Sequence, residues 1–156
     1  ARPAWDPEKQ KGFTGCAPKG MPYMMGQPFP MELIDKGSTI LVRLEEYDAV
    51  RTIHMAPMSD AAAKPRTPAG FSTGKWDGKT LVVSTTRVTA RPFDLSGFAR
   101  SEAMSLVERF TPSADGSRLH YSVTITDPEI FTRPVELKRS WVWRPGEKVM
   151  KFDCTE

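Results

Sequence analysis

Five polar side chains in this chain fall where the pattern around them demands apolar ones: Glu46, Arg51, Glu108, Tyr121 and Arg139. In the alternating run 104–111, Glu108 shares its parity with Leu106 and Phe110. Arg139 shares its own with Val135, Leu137 and Trp141. A carboxylate or guanidinium on such a face must find a partner, because an unpaired buried charge costs on the order of several kcal/mol. Two chemistries fit. In the structural one, Glu46 pairs with Arg51 near a barrel mouth and Glu108 pairs with Arg139 in the interior. In the functional one, Arg51 and Arg139 hold an anionic or phenolic substrate, Glu108 or Glu46 exchanges a proton, and Tyr121 donates to developing charge. Trp76, Phe110 and Trp141 lie on the same face, either as core or as stacking surfaces for an aromatic ligand.

The elements that must position these groups are strands. Residues 104–125 form two strictly alternating arms around Asp115-Gly116, a two-residue signal for chain reversal. Counting outward from that turn places Phe110 opposite Tyr121, Glu108 opposite Val123 and Leu106 opposite Ile125. A second strong hairpin is centred on Asp77-Gly78. It puts Trp76, Gly74 and Ser72 on one face with Leu81, Val83 and Thr85, and Gly74 there signals a bulge or a close approach by another group. Residues 31–34, 39–46 and 50–55 read as three further strands. Reversal at Asp48-Ala49 pairs Val42 with Met55, Leu44 with Ile53 and Glu46 with Arg51, and sets His54 opposite Arg43 on the outer surface. Residues 135–143 alternate again, and Pro145-Gly146 turns the chain into a last strand over 149–154. Two long connections, 56–70 and 87–103, interrupt this pattern. Connections of this length are usually functional or disordered, and both are expected at one end of the fold, over its mouth.

About eight or nine strands joined mostly by local hairpins, with no convincing amphipathic helix, predict an all-β fold. The expected architecture is one antiparallel up-and-down β-barrel, lipocalin-like, over 31–156, with residues 1–30 as an irregular arm packed on it and the whole chain as a single domain. A two-sheet sandwich is the rival. A barrel of this size has room for one small ligand. The arm holds six of the fourteen prolines and four of the eleven glycines, but Trp5, Phe13, Tyr23 and Phe29 give it apolar anchors that a solvated tail does not need.

Composition removes several classes of function. A chain of 156 residues suits one domain, burying roughly 70% of the surface its unfolded form exposes. The net charge of +3 is scattered, with no long Lys/Arg run, which argues against nucleic acid as a partner. No apolar run approaches the roughly 20 residues of a membrane span. With two histidines on outer faces and two cysteines far apart, no metal site is expected. No phosphate-cradling glycine loop, dinucleotide fingerprint or serine nucleophile elbow is present, so no cofactor is expected. Cys16 and Cys154 either form a disulfide or remain reduced. A bridge would close most of the chain into one loop, worth about 4 to 5 kcal/mol in the chain-entropy model, and would place the protein in the periplasm or outside the cell. A start at Ala1 fits a mature chain after signal removal as well as a trimmed one.

Several motifs in order, Cys16-x-Pro18-x-Gly20-Met21-Pro22, Arg51-x-Ile53, Trp76-Asp77-Gly78-x-Thr80-Leu81-Val82-Val83, Glu108-Arg109-Phe110, Thr126-Asp127-Pro128 with Phe131-Thr132-Arg133-Pro134, and Cys154-x-Glu156, resemble a family of small exported proteobacterial proteins. The resemblance spans nearly the whole chain. It implies export and marks Cys16, Cys154, Glu46, Arg51 and Glu108 as shared features, without assigning an activity. This chain departs from the pattern at Ala56-Pro57-Met58, where relatives tend to carry Asp-Gly-Arg, and at Arg100, where they often carry histidine. At the level of fold alone, the Arg, Glu and Tyr set is similar to that of cofactor-free phenolic acid decarboxylases.

The functional expectation is a cofactor-independent lyase or isomerase that moves a proton on an aromatic or largely apolar small molecule inside the barrel. A non-catalytic periplasmic protein that only binds such a molecule is the alternative. A purely structural exported domain is a third reading.

Overall fold

A computed structural model describes residues 16, 18–56, 58, 60–89 and 100–154. Eight strands follow one another: β1 (Met31–Asp35), β2 (Thr39–Leu44), β3 (Val50–His54), β4 (Phe71–Asp77), β5 (Thr80–Thr86), β6 (Ser105–Pro112), β7 (Arg118–Thr126) and β8 (Val135–Val142). They form one sheet in sequence order, curled into a half-barrel. The all-β, barrel-like expectation therefore holds. The alternation that predicted it is visible in the burial of β6, where Leu106, Glu108 and Phe110 are buried while Val107 and Arg109 are exposed.

The strongest hairpin has the register that its turn chemistry dictates, with Phe110 opposite Tyr121, Glu108 opposite Val123 and Leu106 opposite Ile125. Its reversal is built around the Asp115 carboxylate, which accepts hydrogen bonds from the Ser113 hydroxyl at 2.6 Å and from the Ser117 amide at 3.0 Å. Gly116 follows at φ +71°, where a side chain would be strained. Hydrogen bonds to its charged form hold the Asp115 carboxyl down at about 2. The β4–β5 hairpin likewise pairs Trp76 with Leu81, Gly74 with Val83 and Ser72 with Thr85. The reversal itself is Gly78-Lys79, one residue later than the sequence signal, and the face assignment is unchanged. Gly74 is a site of close approach: a Cβ there would lie 2.8 Å from both Ile53 Cγ2 and Met55 Sδ.

Three features differ from the expected meander. The β2–β3 register is slipped, with Val42 opposite Arg51, Ile40 opposite Ile53 and Thr39 opposite His54. The chain does not reverse at Asp48-Ala49. It makes a 3-10 turn over Glu46–Asp48, in which Tyr47 and Asp48 have positive φ, and Leu44 N donates to Ala49 O at 2.8 Å. The slip preserves parity, so every inward residue remains inward. Second, β3 and β4 run parallel, paired only at Ile53 with Ser72 and His54 with Thr73, so that the end of β3 lies beside the start of β4. Third, residues 149–154 are irregular and not a strand. Their amides turn to side chains of the 46–48 turn region instead: Met150 N to Glu45 Oε2 and Phe152 N to Asp48 Oδ1, both at 3.3 Å.

The described parts of the two long connections meet at one end, as expected. Thr67 bridges Val88, Arg87 Nε donates to Lys64 O at 2.8 Å, and Arg66 Nη1 donates to Glu102 O at 2.9 Å. Residues 90–99 lie outside the described residues. The arm joins this end as well, since Met21 N donates to Pro68 O at 2.8 Å and Arg100 donates to Met21 O. From there it runs as a second 3-10 turn, Tyr23–Gly26, that buries Met24 and Met25. Gly26 lets the chain pass β8, since a Cβ would sit 3.1 Å from the Arg139 guanidinium. Residues 1–15, including the anchors Trp5 and Phe13, lie outside the described residues. A disulfide between Cys16 and Cys154 ties the arm to the segment after β8. No helix among the described residues is long and apolar enough to cross a membrane.

Candidate functional site

Parity sets Arg51, on β3, on the inner face, and the slipped register pairs it with Val42 beside the parallel seam with β4. From there its guanidinium spans the interior. Nε and Nη2 donate to Ser72 Oγ at 3.1 and 3.0 Å, Nη2 donates to Thr85 Oγ1 at 2.7 Å, and Nη1 donates to Glu108 Oε1 at 2.8 Å. Nη2 also donates to Glu108 Oε2, so the ion pair is a two-pronged fork. The Tyr121 hydroxyl donates to Glu108 Oε1 at 2.8 Å, and Thr85 Oγ1 donates to Oε2 at 3.2 Å. One arginine thereby links side chains from β3, β4, β5 and β6, and Tyr121 extends the link to β7. Arg51 is 1% exposed and Glu108 0%.

This corrects the expected pairing. Glu108 is matched with Arg51, not with Arg139, and Arg51 is therefore not the partner of Glu46. The electrostatics follow from the geometry. Burial alone disfavours a charged guanidinium, but the Glu108 carboxylate and its hydrogen bonds outweigh that and raise the Arg51 pKa. Burial, and then the negative charge of Glu108, push the Tyr121 hydroxyl far above its ordinary value, so it remains a neutral donor. Glu108 accepts four hydrogen bonds, which fills the roughly four lone-pair directions of a carboxylate.

Glu46 sits elsewhere. It belongs to the 3-10 turn, not to a strand, and is buried against the arm, where Lys19 Nζ lies 2.5 Å from Oε1. Gln27 Oε1 is 3.4 Å from the same ammonium, and the rings of Tyr23 and Tyr47 lie 5.0 and 5.7 Å from it. Tyr47 packs in turn on Phe152, with ring centroids 4.9 Å apart.

Between this corner and β8 the half-barrel has a cleft. It is lined by Met24, Met25, Phe29, Met31, Leu44 and Trp141, with Gln27 and Glu46 as its polar members, and its free volume is about 10 Å³. Met24, Met25 and Leu44 are buried, while Phe29, Met31 and Trp141 are half-exposed, so the cleft reaches the surface. Behind Trp141 the aromatic residues continue inward, through Tyr121 at 5.2 Å and from Tyr121 to Phe110 at 4.9 Å. Tyr121 thus connects the cleft with the Glu108 network, packing on Trp141 of the cleft and donating to Glu108.

Of the residues singled out in the sequence, Arg51, Glu108, Tyr121 and Phe110 come together in the buried interior, and Trp141 and Glu46 line the cleft. Arg139 is opposite Tyr121 on β8 but exposed, because β8 ends the sheet and lacks a neighbour strand to cover it. Trp76 carries the correct parity yet is 58% exposed, since it stands near the hairpin tip beyond the packed interior. Alternation marks Ser72 and Thr85 only as inward positions. Two hydroxyls opposite each other on an apolar face were the signal that a buried charge had to be nearby. Lys19 lies in a stretch without periodicity and carried no signal.

Comparison of the chain with protein families, with curated proteins and with solved structures finds no match.

Proposed function

We propose that this protein binds a largely apolar or aromatic small molecule, without transforming it, in the cleft between the Tyr23–Gly26 turn, β2 and β8. The observation that carries this reading is the saturation of Glu108. A general base needs a free lone pair within reach of its substrate, and this carboxylate has all four directions occupied in a site with no solvent exposure. The network serves the fold instead: it pins the two-residue parallel seam between β3 and β4 to the strongly paired β5, β6 and β7. Among the described residues, two places remain for a ligand: the apolar cleft, and an open groove of about 260 Å³ over β6–β8 whose lining, with Arg109, His120, Lys138 and Arg139, suits an apolar guest less well. The cleft's small free volume is compatible with binding because three methionines line it, and unbranched thioether side chains repack around a guest more readily than branched ones. The disulfide supports an oxidising compartment, the periplasm or the exterior, and agrees with the resemblance to small exported proteins.

The test is a screen of apolar and aromatic small molecules for ligand-induced stabilisation and for turnover, run on the wild type, Trp141→Ala and Glu108→Gln. Binding that is lost in Trp141→Ala and kept by folded Glu108→Gln, with no product from either, supports the reading. A turnover that disappears in Glu108→Gln while binding persists would restore the lyase or isomerase interpretation.

A further inference from the structure

The corner beside the cleft is built more elaborately than a latch for the arm requires. We infer that Glu46, Tyr23, Tyr47 and Gln27 form a recognition site for an organic ammonium group, which the chain's own Lys19 occupies here, so that the cleft's ligand is an amphiphilic amine. This inference rests on the cleft being the binding site.

An ammonium leaving solvent needs a compensating anion and electron-rich surfaces, and the faces of aromatic rings supply the second. Glu46 supplies the anion, with its side chain 8% exposed, and the side chain of Lys19, whose ammonium it holds, is 13% exposed. Two tyrosine rings lie within the distance at which a ring attracts a cation, and an amide oxygen faces it as well. Tyr47 is placed there at a conformational cost: it adopts φ +60° and Asp48 φ +47°, both in the left-handed region that disfavours side chains. Strain of this kind persists where the surrounding structure demands it, often at ligand sites.

Glu46 and Gln27 face both Lys19 and the apolar cleft. A single molecule could therefore place its ammonium where Lys19 Nζ lies and its hydrocarbon or aromatic portion against Met24, Met25, Phe29 and Trp141. Lys19 reproduces the head group of such a ligand on a flexible stem, and it belongs to the irregular arm, not to the sheet. Its departure would leave every strand pairing in place. An anionic ligand would meet the buried carboxylate and be repelled, so the sign of the charge discriminates.

The probes are 4-phenylbutylamine and its neutral counterpart 4-phenylbutanol, titrated calorimetrically into the oxidised full chain as wild type, Lys19→Ala and Lys19→Ala/Glu46→Gln. Lys19→Ala is expected to bind the amine roughly tenfold or more tightly than the wild type does, and more tightly than it binds the alcohol. Adding Glu46→Gln should erase the preference for the amine, so that the amine binds no more tightly than the alcohol. Equal affinity of Lys19→Ala for the two probes would overturn the ammonium site while leaving the cleft standing. Binding of neither probe by any variant would overturn both. Should Lys19→Ala fold poorly, Lys19→Met keeps the stem's packing without the charge, and the same outcomes apply to it.

Discussion

Replacing Glu108 with glutamine changes one oxygen into an NH2 group and tests what the buried network is for. In the native chain the Arg51 charge is matched by the fork to Glu108 and by hydroxyls from Ser72 and Thr85. In the variant the hydroxyls remain, the counter-charge is gone, and the new amide hydrogens face other donors. Breaking one partner of a buried pair in this way costs about 3 to 5 kcal/mol, a large part of the roughly 5 to 15 kcal/mol that holds a domain together. With an m-value of about 2 kcal/mol/M, the urea midpoint of the oxidised protein should fall by roughly 2 M. The triple variant Arg51→Met/Glu108→Leu/Tyr121→Phe removes both charges and the phenol, leaves the Ser72 and Thr85 hydroxyls bonded to each other, and should be less destabilised than Glu108→Gln alone, because no orphaned charge is left behind. A loss under about 1 kcal/mol for Glu108→Gln would refute the reasoning. So would a triple variant that loses the sum of its single changes.

Tyr121→Phe removes one hydrogen bond to a charged acceptor and should cost about 1.5 to 3 kcal/mol by chemical denaturation, with no change in the apolar contacts to Phe110 and Trp141. Gly74→Ala should destabilise by about 1 to 3 kcal/mol, because its Cβ would press on Ile53 and Met55; an unchanged midpoint would mean that the β3–β4 seam gives way freely. For Asp115, whose folded pKa is about 2, the stabilising effect of its charge is fully present above the ordinary carboxylate range and is lost as pH falls through about 2. Asp115→Asn should thus be less stable than the wild type at neutral pH, and the difference should shrink as pH drops from roughly 4 to 2. Reduction of the Cys16–Cys154 bridge should lower stability by about 4 to 5 kcal/mol in the chain-entropy model, measured by parallel urea titrations with and without a reductant.

The hairpins were legible because alternation and turn chemistry act locally. Asp115-Gly116 and Gly78 specify where the chain reverses, and parity then assigns every side chain to a face. The four-residue displacement at β2–β3 escaped because Tyr47 adopts positive φ ahead of Asp48, and no local preference of a tyrosine announces that. Parity survived the slip, which is why Arg51 was found inside although its partner was misassigned. Partner choice across the interior depends on strand curvature, and a sequence read strand by strand contains no such information. The same holds for Arg139. Its alternation is that of an inward residue, but exposure depends on β8 being the last strand, a property of the whole sheet. Lys19 and the Tyr23–Gly26 turn were hidden for a third reason: irregular segments are placed by what they pack against, and their sequence has no period to read.

In the proposed reading, ligand enters at the methionine-lined cleft and leaves the Arg51–Glu108 network sealed. Methyl NMR of the methionines tests it most directly, since Met24, Met25 and Met31 line the cleft while Met104 is buried in the core just before β6 and does not line it. Titration with 4-phenylbutanol should shift the Met24, Met25 and Met31 methyl signals saturably and leave Met104 in place. Saturable shifts at Met104 with none at Met24, Met25 and Met31, or no shift at any methionine, would contradict the account.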